Sequence, residues 1–176
     1  MHQRFEDLCA YAEGTGAQAI LFTCSAFGPC IEAAAARRPH MSVLKPNEAM
    51  VAEAVALGGR VGLIASFAPT LASMPPEFPP GTDLRAELAA GAMESLDRGD
   101  TAAHDAGVVQ AAEALARQGC TVIALAQFSM ARAQAAVQQA LGLPVLTTPG
   151  SAVRALRQRL GINGQPVKGE GGQPLQ

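Results

Sequence analysis

The chain contains four cysteines, Cys9, Cys24, Cys30 and Cys120. One of them has the surroundings that thiol chemistry needs. Cys24 ends the apolar run AILFTC (19–24), and Ser25, Ala26, Phe27 and Gly28 lead from it to Pro29, a residue suited to the first turn of a helix. A thiol at such a junction faces unpaired N–H groups and the positive end of the helix dipole, which favour the thiolate. The same N–H groups suit the carboxylate of a small acid. Cys24 therefore reads either as a proton carrier beside a bound acid or as a small buried hydrophobe. Cys9, Cys30 and Cys120 fall within or beside helical stretches, where packing is the default for each.

Hydroxyls and an amide recur where other apolar runs end. Ser25 and Ser66 each follow one, Thr70 starts the helix after Ser66, and Gln127, Phe128 and Ser129 form the turn after a third. Hydroxyls so placed either cap helices or bind carboxylate and enolate oxygens beside backbone N–H groups. The expected substrate-binding positions are Ser25, Ala26, Ser66, Thr70, Gln127, Phe128, Ser129 and Thr148, with Cys24 as the catalytic residue. Lys45 ends the run SVLK; it either pairs with Glu48 at the surface or lowers the thiol pKa of Cys24. His2, His40 and His104 are scattered without metal-binding spacing, so no metal is expected, and His104 reads as a surface residue at a helix start. Neither GxGxxG nor GxxxxGK[ST] occurs, and no cofactor is expected.

The elements that must hold these residues alternate between helical and strand-like patterns. Residues 3–13 put Phe5, Leu8, Cys9 and Ala12 at helical spacing, with Gly14 and Gly16 as stops. Buried strands are predicted over 19–24, 61–66 and 121–127, and short ones over 42–45, 144–148 and Leu84–Leu88. Helices are predicted over 29–38, from an Asn47 N-cap to Gly58, over AMESLDRGD, from Asp100 or Thr101 to Gln118, over 130–141 and over 150–160. Pro69 and Thr70 open a further helical stretch that fails at PPEFPPG. The tail 163–176 reads as disordered. Strands alternating with helices give an α/β fold with a parallel sheet.

The pattern also repeats. GAQAILFTCSAF (16–27) aligns with GCTVIALAQFSM (119–130), matching Ile20 to Ile123 and Cys24 to Gln127. After a one-residue slip, VLKPNEAMV (43–51) aligns with VLTTPGSAV (145–153). Two similar half-units imply two lobes related by a pseudo-two-fold, with Cys24 and Gln127 facing one cleft.

Composition removes other classes of function. Lys and Arg number 13 against 15 Asp and Glu, a net charge of −2, so no basic footprint marks a nucleic-acid or membrane surface. Six Phe, one Tyr and no Trp leave no row of stacking platforms for bases. No apolar run reaches the roughly 18 residues of a spanning helix. The acids in the opening MHQRFEDL and the lack of CxxC pairs point to the reducing cytoplasm.

ILFTCSAFGP, RVGLIASFAPT, ALAQFSMA and PVLTTP together resemble the cofactor-independent aspartate/glutamate racemase superfamily, which includes hydantoin racemases, maleate isomerases and arylmalonate decarboxylases. The resemblance runs from about residue 5 to residue 160. It implies two flavodoxin-like lobes with a carboxylate substrate between them, and one cysteine per lobe to move the α-proton. On this reading residues 1–58 and 149–162 form the first lobe and 59–148 the second. Two departures stand out. Family members usually begin with a further strand–helix–strand segment, so the first lobe is expected to be incomplete and to self-associate through its uncovered sheet edge. Gln127 stands where the second cysteine is usual, and an amide is neither acid nor base near pH 7. The chain is accordingly an enzyme of one-faced chemistry, a binding protein that keeps the cleft without turnover, or part of a longer enzyme. If Cys24 is the proton carrier, alkylation near pH 7 followed by peptide mapping labels it ahead of the other three thiols. Preferential labelling of Cys9, Cys30 or Cys120 returns Cys24 to the packing class.

Overall fold

The computed structural model describes residues 1–23 and 27–162; Cys24, Ser25, Ala26 and the tail read as disordered lie outside the described residues. The strands are β1 (Ala19–Leu21), β2 (Ser42–Leu44), β3 (Val61–Ala65), β4 (Leu84–Leu88), β5 (Val122–Leu125) and β6 (Val145–Thr147). The helices are α1 (His2–Gly14), α2 (Gly28–Ala36), α3 (Glu48–Leu57), α4 (Ala68–Ser73), α5 (Ala92–Asp97), α6 (Thr101–Arg117), α7 (Gln134–Leu141) and α8 (Thr148–Arg159). Every strand pairing is parallel: β1 with β2, and a second sheet in the order β4-β3-β5-β6. Parallel neighbours require crossovers, and the intervening helices supply them.

The central strands β3 and β5 are buried along their whole length. Side chains alternate between the faces of a strand, so each face needs its own cover. Val61, Leu63, Ala65, Val122 and Ala124 pack with Met50, Val51 and Ala54 of α3 and with Met74 and Phe78. On the other face Ile64, Ile123 and Leu125 meet Val108, Ala112 and Leu115 of α6 and Val137 of α7. Gly62 permits the close approach of α6, because a Cβ there would stand 3.0 Å from Leu115 Cδ1 and 2.9 Å from Ile123 Cδ1. Asp100 caps α6 by accepting from Ala103 N–H at 3.0 Å, and Gly119, at φ +84°, lets the chain turn back after it. Helices α3 and α8, which the sequence reading places with the first lobe, pack together beside the larger sheet. Arg154–Glu53 at 2.7 Å and Arg159–Glu48 at 3.3 Å join them.

The smaller sheet has its own core of Phe5, Cys30, Ile31 and Val43, flanked by Ile20, Phe22 and Phe27. Here the sequence expectations need correction. The strand expected over 19–24 stops at Leu21 and is only half-buried, with β2 its one partner strand among the described residues. The other long strands also end one or two residues early, at Ala65 and Leu125. The helix expected over 130–141 begins as a 3₁₀ segment, Phe128–Ala133, and becomes α-helical at Gln134. Asn47 precedes α3 as expected but caps nothing; it is buried, and its amide donates to Met74 Sδ. Among the described residues no helix is long and apolar enough to cross a membrane.

Arg38, 8 % exposed, fastens α1 to the end of α2. Its Nη1 donates to Glu6 Oε2 at 2.8 Å and its Nε to Glu13 Oε2 at 3.0 Å. Hydrogen bonds from Arg38 hold both carboxyls below their ordinary pKa, against the opposing effect of burial. Groups depressed in this way stabilise the fold above the ordinary carboxylate value of roughly 4.3 and cease to as acid protonates them. Arg38→Ala is therefore expected to lose stability at pH 6 and to flatten the decline in urea midpoint between pH 5 and 3. An unchanged acid decline in the variant contradicts the assignment.

Candidate functional site

In the order β4-β3-β5-β6 the chain leaves β3 towards one edge and β5 towards the other. The connections diverge between these two strands, and it is beyond the C-terminal strand ends at such a point that open parallel sheets bind ligands. Ser66 directly follows β3, and Gln127 follows β5 after Ala126. Ladder bonding continues past the strands, with Ala126 N–H donating to Ile64 O at 2.9 Å. The next contact is between a main chain and a side chain. Ser66 N–H donates to Gln127 Oε1 at 2.6 Å, and the Ser66 hydroxyl donates to the same oxygen at 3.1 Å. A backbone N–H can only donate, so the amide orientation of Gln127 is set by chemistry: oxygen towards Ser66, NH₂ away. None of the described residues accepts from that NH₂.

The remaining expected residues divide. Phe128 is half-buried and Ser129 exposed, both in the 3₁₀ segment that Gln127 opens. Thr70 lies one turn into α4, its N–H bonded to Phe67 O at 3.0 Å. Thr148 is fully buried and donates its hydroxyl to Leu125 O at 3.2 Å, which commits it to the sheet. Thr147 caps α8 by accepting from Gly150 N–H at 3.1 Å. Lys45 pairs with Glu32 at 2.7 Å, not with Glu48, and this hydrogen bond raises its pKa. Cys24, Ser25 and Ala26 lie outside the described residues. Cys9, Cys30 and Cys120 are buried, and burial pushes the Cys9 and Cys120 thiols up, away from the thiolate.

Two features were not anticipated. Phe5 of α1 packs on Phe22, with ring centroids 5.0 Å apart, and on Phe27, at 5.4 Å. These partners stand on either side of the segment that contains Cys24. A continuous run of apolar letters around Phe22 and Phe27 was visible, but nothing in the sequence pointed to Phe5 as their common partner. The second feature overturns an expectation: His104 is completely buried instead of lying at the surface. Its Nδ1 is 2.7 Å from Asp105 Oδ1, which Arg132 Nε also reaches at 2.9 Å, while His104 Nε2 is buried without a partner among the described residues. Burial raises the Asp105 pKa, but hydrogen bonds from Arg132 and His104 outweigh it and leave the carboxyl below its ordinary value. The network ties α6 to the 3₁₀ segment that follows Gln127.

A family model described as Asp/Glu/hydantoin racemase matches residues 3–156. The chain belongs to the Asp/Glu/hydantoin racemase family. Two glutamate racemase structures share the fold of this family member. A glutamate racemase isoform of Bacillus anthracis superposes with a TM-score of 0.63 at 12% identity, covering 95% of this chain and 69% of that one. The glutamate racemase of Francisella tularensis subsp. tularensis SCHU S4, solved with D-glutamate, gives 0.61 at 12% identity over 93% of this chain and 66% of its own. An allantoin racemase of Pseudomonas fluorescens gives 0.47 at 20% identity, over 77% and 62% of the two chains. No curated protein matches by sequence.

The geometry separates Thr148 from the site residues by experiment. Thr148→Val removes the donor to the buried Leu125 carbonyl and is expected to cost about 1–3 kcal/mol in urea unfolding. Small-carboxylate binding by the folded variant stays unchanged. A loss of ligand affinity at undiminished stability would move Thr148 back among the binding residues.

Proposed function

We propose that this chain binds a small carboxylic acid in the crevice beyond β3 and β5 and moves its α-proton with the single thiol of Cys24, without a cofactor. The supporting observation is the register of the two half-units. Ile20 pairs with Val43 in the smaller sheet, and Ile123 pairs with Val145 in the larger one. These are the residues that the internal repeat matches, which supports equivalent roles for Cys24 and Gln127, three and two positions in sequence beyond β1 and β5 respectively. The same equivalence supports two flavodoxin-like lobes related by a pseudo-two-fold, with the cleft between them.

Proton transfer on this reading uses one face. The Cys24 thiolate takes the α-proton and becomes a thiol, while backbone N–H groups and the Ser25 hydroxyl stabilise the enediolate. Inversion needs an acid on the opposite face. Gln127 cannot serve, because its oxygen accepts from Ser66 and its NH₂ does not ionise near neutral pH. The same thiol therefore returns the proton. The chemistry is exchange with retention, decarboxylation, or isomerisation through a thiol adduct.

Candidate amino acids, hydantoins and malonates in deuterated water give the test. Label uptake with retained configuration, abolished in Cys24→Ala, is expected. Gln127→Cys, which supplies a second thiol, is expected to add loss of optical rotation. Rapid racemisation by the unaltered chain refutes the one-thiol reading, and binding without any label uptake identifies a family member without turnover.

A further inference from the structure

The bond between Ser66 and Gln127 has a polarity, and that polarity selects the ligand. Both Ser66 donors converge on Gln127 Oε1, at 2.6 and 3.1 Å. Flipping the amide would set its NH₂ against a backbone N–H that has nothing else to do, so only one orientation satisfies the pair. Gln127 is half-buried and Ser66 is 9 % exposed, which keeps water from competing freely for these atoms. Gln127 itself has an extended backbone, φ −129° and ψ 146°, continuing the line of β5 towards the strand ends. What remains is an NH₂ group that no described residue uses.

We infer that Gln127 is a specificity residue whose NH₂ donates to an oxygen of a bound carboxylate, and that Ser66 is the positioning residue that fixes this polarity. The inference rests on the reading of the crevice as a carboxylate site. It adds which residue recognises the second oxygen-bearing group and why an amine at that end of the ligand is refused. A thiol at this place would exchange a proton; a fixed amide reads an acceptor and leaves it unchanged. A dicarboxylate fits such a site better than a diamine of the same length, because the diamine would present donors to a donor.

The experiment titrates the isotopically labelled full-length chain with malonate and, separately, with propane-1,3-diamine, following the Gln127 side-chain NH₂ resonances. Malonate is expected to shift both NH₂ protons, and the diamine to leave them in place. Gln127→Glu keeps one acceptor for Ser66 but replaces the NH₂ with an anionic oxygen. It is expected to weaken malonate binding at least tenfold while melting at an unchanged temperature. Should that variant not fold, Ser66→Ala, which keeps the backbone donor, is expected to weaken malonate a few-fold and broaden the Gln127 NH₂ signals. Malonate binding with the Gln127 protons unmoved, or with equal affinity in Gln127→Glu, overturns this inference and leaves the carboxylate reading intact. No malonate-dependent shift anywhere overturns both. Failure of the deuterium experiment beside a successful malonate titration removes only the catalytic role of Cys24.

Discussion

The structure depends on two adjacent parallel strands, β3 and β5, having no face open to water. Strands buried on both sides cannot alternate apolar with polar residues, and VGLIA and VIAL do not. Each face must then be covered by helices, and each helix must return the chain to the same end of the sheet. Polar groups are forced out to the strand ends, where the ladder runs out of partners. Side chains complete it there: Gln127 accepts from Ser66 N–H, and Thr148 donates to Leu125 O. A buried backbone group without a partner costs as much as a lost hydrogen bond. The polar residues at this end of the sheet thus serve the fold first, and what each has left for any other role must be read atom by atom. Thr148 has spent its hydroxyl on the sheet, whereas Gln127 has spent only one end of its amide.

The two half-units show how far one architecture can be varied. Their strands pair in matching register, yet one sits in a two-stranded sheet and the other in a four-stranded one. The helices that follow, α3 and α8, meet across ion pairs at their exposed margins. Exposed pairs of this kind contribute roughly 0–1 kcal/mol each. The apolar residues of α3 buried against the larger sheet therefore do more to fix the arrangement than the charges do.

Much of this was legible in the letters. Apolar runs bounded by glycine and helical patterns located five of the strands, and β4 followed from the rhythm of its neighbours although its own pattern is ambiguous. The repeat that matches Ile20 to Ile123 and Val43 to Val145 coincides with the strand register, in which Ile20 stands opposite Val43 and Ile123 opposite Val145. Strand ends were less legible because an apolar run continues past the last residue of the ladder, as at Leu21 for β1 and Leu125 for β5. His104 was misread for a different reason. TAAHDAG looks like a polar first turn, but the imidazole is buried against Asp105, whose carboxylate is shared with Arg132, 27 residues further along the chain. The Ser66–Gln127 bond spans 61 residues. Both residues were candidates, but their commitment to one another belongs to the topology.

The ring of Phe5 has a consequence for chain entropy. It touches Phe22 and Phe27, so a single side chain of α1 fixes two points only five positions apart in sequence. Holding two points of a chain against a third costs conformational entropy, which the apolar area buried at the contact must offset. One side chain of α1 supplies that area twice, once at the end of β1 and once at the start of α2.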